Sequence, residues 1–115
     1  MTEAASTEES GTITMLNALW FEGEEGATLY AEYAAAAAPF VEKYGGRLVS
    51  SYVPDLALIG EWDPDLFFLV EWPSQAAFEG LAQDPGYLQV APLRERGLRR
   101  SLLLRCRGGE LDLPR

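Results

Sequence analysis

The sequence predicts an α+β fold with four strands and two helices in the order β-α-β-β-α-β. Three observations carry this reading. Four short apolar runs are bounded by turn signals, two segments show helical punctuation, and the strand runs are apolar on both faces. The chain has 115 residues and 48% hydrophobic content, enough for one domain with a real core.

Each element has a local cause. Thr12 to Phe21 combines the β-branched Thr12, Ile13 and Thr14 with Met15, Leu16, Leu19, Trp20 and Phe21, and only Asn17 is polar from Met15 onward. Glu22 to Gly26 is a turn whose acids suit the positive end of a following helix. Ala27 to Tyr44 is that helix, because Tyr30, Tyr33, Ala37, Phe40, Val41 and Tyr44 recur at three- and four-residue spacing. Its Ala34 to Ala38 run predicts close approach to a sheet or a second helix, and Pro39 predicts a kink. Gly45-Gly46 stops the helix, with one glycine suited to the left-handed position after the last turn.

Arg47 to Tyr52 reads as the second strand, with Leu56 to Ile59 as its continuation or a short neighbour beyond the Val53-Pro54-Asp55 interruption. Gly60 to Asp65 is a turn by composition, and Leu66 to Trp72 is a central strand. Pro73 ends it, Ser74 is a good N-cap, and Gln75 to Gln83 is the second helix. Asp84-Pro85-Gly86 breaks that helix, and Tyr87 to Arg96 reads as a further helical turn or two interrupted by Pro92. Leu98 to Arg107 is the last strand, with Leu102, Leu104 and Cys106 on one face and Ser101, Leu103 and Arg105 on the other. The order is that of the split βαβ, or ferredoxin-like, arrangement: a four-stranded antiparallel sheet with helices on one face. The expected domain spans residues 12–107, between a disordered acidic tail at 1–11 and a C-terminal tail at 108–115. Helices cover one sheet face only, so the other needs a further protein surface, and a homodimer through the sheet face is the simplest answer.

Composition excludes several chemistries. The chain has no histidine, which removes Ser-His-Asp and Cys-His nucleophile pairs and His-ligated zinc or haem. The single cysteine, Cys106, excludes a disulfide within the chain and a thiolate metal cluster. No phosphate-binding loop or dinucleotide fingerprint occurs, since Gly45-Gly46 follows a helix and precedes a strand. Neither a metal nor an organic cofactor is therefore expected. Glu61, Asp63 and Asp65 lie close together, but Pro64 intervenes and no EF-hand pattern is present, so they read as a solvated turn. The formal charge is −9 and its distribution is uneven. Residues 1–93 hold 15 acids against Lys43 and Arg47, a balance of −13, while residues 94–115 hold seven arginines against three acids, a balance of +4. The basic segment has no aromatic residue, so its arginines read as neutralising the acidic remainder and nucleic-acid binding is not expected. No apolar run reaches membrane-spanning length and Met1 to Gly11 has no positive start, so no membrane association and a cytoplasmic location are expected.

Ordered short motifs resemble a known family. Tyr30-Ala31-Glu32-Tyr33, the alanines with Pro39, and Lys43-Tyr44-Gly45-Gly46-Arg47 are similar to the first half of the bacterial family catalogued as domain of unknown function 1330. Gly60-Glu61-Trp62-Asp63-Pro64, Val70-Glu71-Trp72-Pro73-Ser74, Ala76-Ala77-Phe78, Pro85-Gly86-Tyr87 and Leu93-Arg94 are similar to its second half. The resemblance runs from about Ile13 to Cys106 and implies the dimeric α/β-barrel superfamily, in which two ferredoxin-like subunits join their sheets. Two positions depart from the family pattern: Ile59 stands where a glutamate is usual, and Asp84-Pro85-Gly86-Tyr87 stands for Ser-Pro-Glu-Tyr.

The candidate catalytic residues are Glu71, Tyr87 and Arg94. Glu71 interrupts an apolar strand on the same face as Phe67 and Leu69. A carboxylate there is costly to bury unless paired, and burial favours the protonated form that a general acid or base exchanges. The bland alternative is an ion pair with Arg47, Arg94 or Arg105, or a strand-end acid that reaches water. Tyr87 and Arg94 match family positions and are two helical turns apart, so they share a face if the segment stays helical. Tyr33, Asn17 and Arg47 are the candidate substrate-binding residues, with core packing the alternative for Tyr33 and a satisfied core amide for Asn17. Cys106 reads as an inert thiol, and Trp20, Trp62 and Trp72 as core or interface. Two function classes follow. The first is a protein that binds a small apolar or aromatic metabolite, with cofactor-free isomerisation, cyclisation or oxygenation as the chemistry done on similar barrels. The second is a non-catalytic ligand sensor or stress and interaction module whose dimer interface is its main feature.

Overall fold

The computed structural model describes residues 11–108. The elements are β1 (Ile13–Phe21), α1 (Gly23–Lys43), β2 (Arg47–Tyr52), β3 (Leu66–Trp72), α2 (Gln75–Gln83), α3 (Pro85–Gly97) and β4 (Leu98–Cys106). The strands form one sheet in the order β2-β3-β1-β4, and every neighbouring pair is antiparallel. This is the expected ferredoxin-like sheet. The tail expectations fall outside the described residues, apart from Gly11 and Gly108 themselves.

Helix α1 begins four residues before the sequence pattern suggests, because Gly23 takes a φ of 64° and Glu24 and Glu25 fill the first turn. It continues through Pro39 as one helix of 21 residues. Pro39 and Ala35, whose carbonyl loses its helical donor, are both on the exposed side of the helix, where solvent can reach such a group. The helix ends as its glycines predict. Gly45 has a φ of 84°, its N–H donates to the Glu42 carbonyl at 2.9 Å, and the Gly46 N–H donates to the Val41 carbonyl at 2.9 Å. That pair of bonds is a Schellman closure.

Two expectations are corrected. Leu56 to Ile59 is neither a strand nor a continuation of β2: residues 53–65 cross without regular structure, and Ile59 is 97% exposed. Pro54 lacks the donor a ladder needs, and among the described residues no strand pairs with this segment. The root of this arm is nevertheless fixed. Trp62 meets Trp20 and Phe67 with ring centroids 6.4 and 5.4 Å apart, and the Trp20 indole N–H donates to Asp63 Oδ1 at 3.0 Å. Asp65 Oδ2 accepts from the Phe21 N–H at 2.7 Å. The acids at 63 and 65 are therefore anchors and not merely a solvated turn. The second correction concerns Tyr87 to Arg96, which belongs to a third helix of 13 residues. Asp84 caps it by accepting from the N–H groups of Gly86 and Tyr87 at 2.8 and 3.2 Å, and Pro85 sits in its first turn. Pro92 lies on its exposed side and does not break it.

Strand parity sorts the side chains. The helices pack on Ile13, Met15 and Leu19 of β1 and on Leu66, Phe68, Val70 and Trp72 of β3. The other face carries Leu16, Ala18 and Trp20, then Phe67, Leu69 and Glu71, and Leu102, Leu104 and Cys106 of β4. Trp20 is 1% exposed there, under Trp62 and with the Arg100 guanidinium 4.2 Å from its ring centre. Leu104 and Tyr52 remain half exposed on the same face, which no helix covers. Helices α1 and α3 cross at Gly26 and Gly97, both buried, where the Glu22 N–H donates to the Gly97 carbonyl at 2.9 Å.

Candidate functional site

Between the helix layer and the sheet lies a cavity of about 840 Å³. It exists because α1 presents Ala34, Ala37 and Ala38 to the sheet and α3 presents Ala91. The alanine run does not bring α1 down onto the sheet as its small side chains suggest. The helices rest on larger neighbours such as Tyr30, Phe40 and Leu93, and the alanines leave space between them. The strand wall is mostly apolar, with Met15, Phe68, Val70, Trp72 and Leu103.

Polar groups gather in one part of the lining. Tyr33 and Tyr87 bring their hydroxyls to 2.8 Å of each other, and their rings meet edge-on with centroids 6.1 Å apart. Tyr30 lies beside Tyr33, ring centroids 5.2 Å apart. Burial pushes the Tyr30 phenol up to about 12, and the Arg94 guanidinium beside it offsets part of that rise. Burial also raises the Tyr33 phenol far above the usual range, reinforced by its bond to the Tyr87 hydroxyl. Both phenols stay protonated at neutral pH. Two hydroxyl protons serve one Tyr33–Tyr87 bond, so one proton is left to donate elsewhere. Among the described residues Arg94 has no salt-bridge partner, and the Asn17 side chain has no hydrogen-bond partner although it lines the same cavity. Trp72, part of the wall and 3% exposed, has a buried indole N–H without an acceptor.

Four of the six candidate residues therefore come together: Asn17, Tyr33, Tyr87 and Arg94 all line this cavity. Tyr87 and Arg94 share it because α3 stays helical across Pro92. Glu71 and Arg47 are elsewhere. Glu71 lies on the opposite sheet face, where Arg47 Nη2 donates to its Oε1 at 2.7 Å. The expectation that Glu71 joins Tyr87 and Arg94 is thus corrected: residues 68, 70 and 72 face the helices, so 67, 69 and 71 cannot. Glu71 is not positioned as a base for this cavity. Tyr30 was a stripe residue in the sequence, and its role beside Arg94 becomes visible only when α1 and α3 are packed together. The signal available was its position one turn before Tyr33 on the same helical face.

A second polar cluster closes the far end of the helix layer. Asp84, 7% exposed, accepts from Tyr44 Oη at 2.7 Å and Lys43 Nζ at 3.1 Å besides capping α3. These bonds, Tyr44 first, hold its carboxyl well below the usual carboxylate range. All its acceptor capacity is in use, so it ties α1 to α3 and has none left for a ligand. Cys106 is partly buried with its thiol 3.8 Å from the Leu104 carbonyl. Among the described residues no group of three or more carboxylates or thiols converges on one point, and no helix is long and apolar enough to cross a membrane.

Comparison with known proteins agrees with this architecture. The family described as domain of unknown function (DUF1330) matches residues 25–105. The solved structure of RPA0582, a protein of unknown function from Rhodopseudomonas palustris, is 28% identical with a TM-score of 0.82, over 96% of this chain and 92% of that one. A dimeric ferredoxin-like protein of unknown function from Jannaschia sp. CCS1 is 17% identical with a TM-score of 0.65, over 85% and 100% of the two chains. A dabb family protein with a ferredoxin-like fold from Mesorhizobium loti is 13% identical with a TM-score of 0.61, over 87% and 99%. The curated proteins give no match.

Proposed function

The chain belongs to the family described as domain of unknown function (DUF1330), and on that premise we propose that it binds a small, largely apolar or aromatic molecule between its helices and its sheet. The observation that carries this reading is the cavity itself. Its volume falls within the range of small-molecule sites, and its largely apolar wall meets a cluster formed by Tyr30, Tyr33, Tyr87, Arg94 and Asn17. A pocket of this size leaves its apolar lining short of packing contacts, and a bound molecule would supply them. Native mass spectrometry of the purified full chain tests the reading. A stoichiometric organic adduct, released by denaturation and absent after Ala37 is replaced by leucine, supports it. Bare-mass protein from several expression conditions, together with no binder in a fragment screen, counts against it.

The same reading includes a homodimer through the uncovered sheet face, and the Jannaschia protein of similar fold is described as dimeric. Support comes from the half-exposed Leu104 and Tyr52 on that face and from the exposed Leu56, Leu58 and Ile59 of the neighbouring arm. Such an interface would bury on the order of 2,000 Å² or more in total. Leu104→Arg should convert the protein to a monomer in sedimentation velocity at micromolar concentration. A wild-type monomer under the same conditions refutes the dimer.

A further inference from the structure

Arg94 brings a guanidinium to the polar end of the cavity, beside hydroxyl and amide groups with protons to spare, and from this we infer that its ligand is a carboxylic acid bound as the anion, carried on an aromatic or alicyclic body. The inference rests on the binding reading above and specifies its ligand class. Arg94 carries a donor-only guanidinium, is half buried, and among the described residues has no carboxylate within salt-bridge distance. Its neighbours Tyr30 and Tyr33 are phenols kept neutral by burial, so they answer it with dipoles and not with charge. The Tyr33–Tyr87 pair has one proton to spare, and the Asn17 amide has two more with no acceptor among the described residues. A guanidinium, a phenol proton and an amide together match a two-oxygen anion, and the planar guanidinium fork matches it bidentately.

Alternatives fit less well. A cation would face Arg94, and among the described residues the carboxylates in the lining, Glu42 and Glu95, are exposed and screened by water. A neutral ligand would leave the guanidinium without its counter-charge. A fully hydrated anion such as inorganic phosphate would have no use for the wall of Met15, Phe68, Val70 and Trp72. An amphipathic acid satisfies both ends at once.

The test is a fluorine NMR panel on the intact protein. Fluorinated aryl and cycloalkyl carboxylates are each paired with their primary carboxamide, which keeps the shape without the charge, and with their aminomethyl counterpart. Carboxylates should bind about ten- to a hundredfold tighter than their carboxamides, as a charge-assisted contact implies. That preference should disappear in Arg94→Gln and shrink in Arg94→Lys, which keeps the charge but loses the fork. In wild type it should also weaken below about pH 4, as the ligand acids protonate, a readout that needs no variant. Equal binding of carboxamides, or preference for the amines, overturns the inference and leaves the cavity as a neutral or cation site. No binding by any member of the panel overturns both the inference and the reading beneath it.

Discussion

Replacing Gly97 by alanine should destabilise the protein, although alanine is the better helix former. An added Cβ would stand 2.8 Å from the Gly26 carbonyl oxygen and 3.2 Å from both Leu29 Cβ and the Tyr30 backbone nitrogen. Ordinary contact begins at 3.4 Å, so α1 and α3 would have to separate locally by about 0.6 Å, with no rotamer available to relieve the clash. Overpacking of this kind costs roughly 1–3 kcal/mol. The gain in helix propensity is at most about 1 kcal/mol, and less at the last residue of a helix. The net loss is about 1–2 kcal/mol, which for a domain of this size lowers the melting temperature by roughly 4–8 °C. Gly26→Ala should do at least as much, since its Cβ would meet the Gly97 carbonyl oxygen at 2.5 Å. The two substitutions strain one crossing, so their combination should fall short of additivity. Differential scanning calorimetry of the three variants checks this. A Gly97→Ala protein that melts at or above the wild-type temperature refutes the close-crossing argument.

Three other outcomes follow from the same structure. Asp84→Asn should lower the melting temperature at neutral pH. Because the folded carboxyl titrates below its unfolded value, its contribution is full above the ordinary aspartate range and fades as pH falls through and below about 4, so wild type and variant should converge in acid melts. Ala37→Leu places up to three carbons in the cavity at about 0.8 kcal/mol of burial each, so thermal melts should show equal or higher stability while NMR titration shows ligand exclusion. Glu71→Gln breaks a partly exposed ion pair on the other face of the sheet, so denaturant titration should show a change within about 1 kcal/mol and ligand affinity should not move.

The sequence by itself determined what depends on a few consecutive residues. The parity of Phe67, Leu69 and Glu71 against Phe68, Val70 and Trp72 follows from the two-residue period of a strand, and Gly45 and Ser74 mark helix ends through bonds that reach no further than five residues. The motif set also reached the family, since short ordered motifs survive where overall identity is low. Tertiary structure decided everything that depends on distances between elements. The alanines of α1 look alike in sequence whether they seat a helix against a sheet or hold it away. The difference is set by the Gly26–Gly97 crossing and the large side chains around them. Leu56 to Ile59 has strand composition, yet a strand needs a neighbour to receive its hydrogen bonds, and none of the described strands pairs with it. Arg94 meets Tyr30 across 64 positions of chain, and no local pattern encodes that meeting. Period and capping are properties of the backbone and survive in any environment. A cavity is a property of what fails to fill it, and that is settled only when the layers are packed.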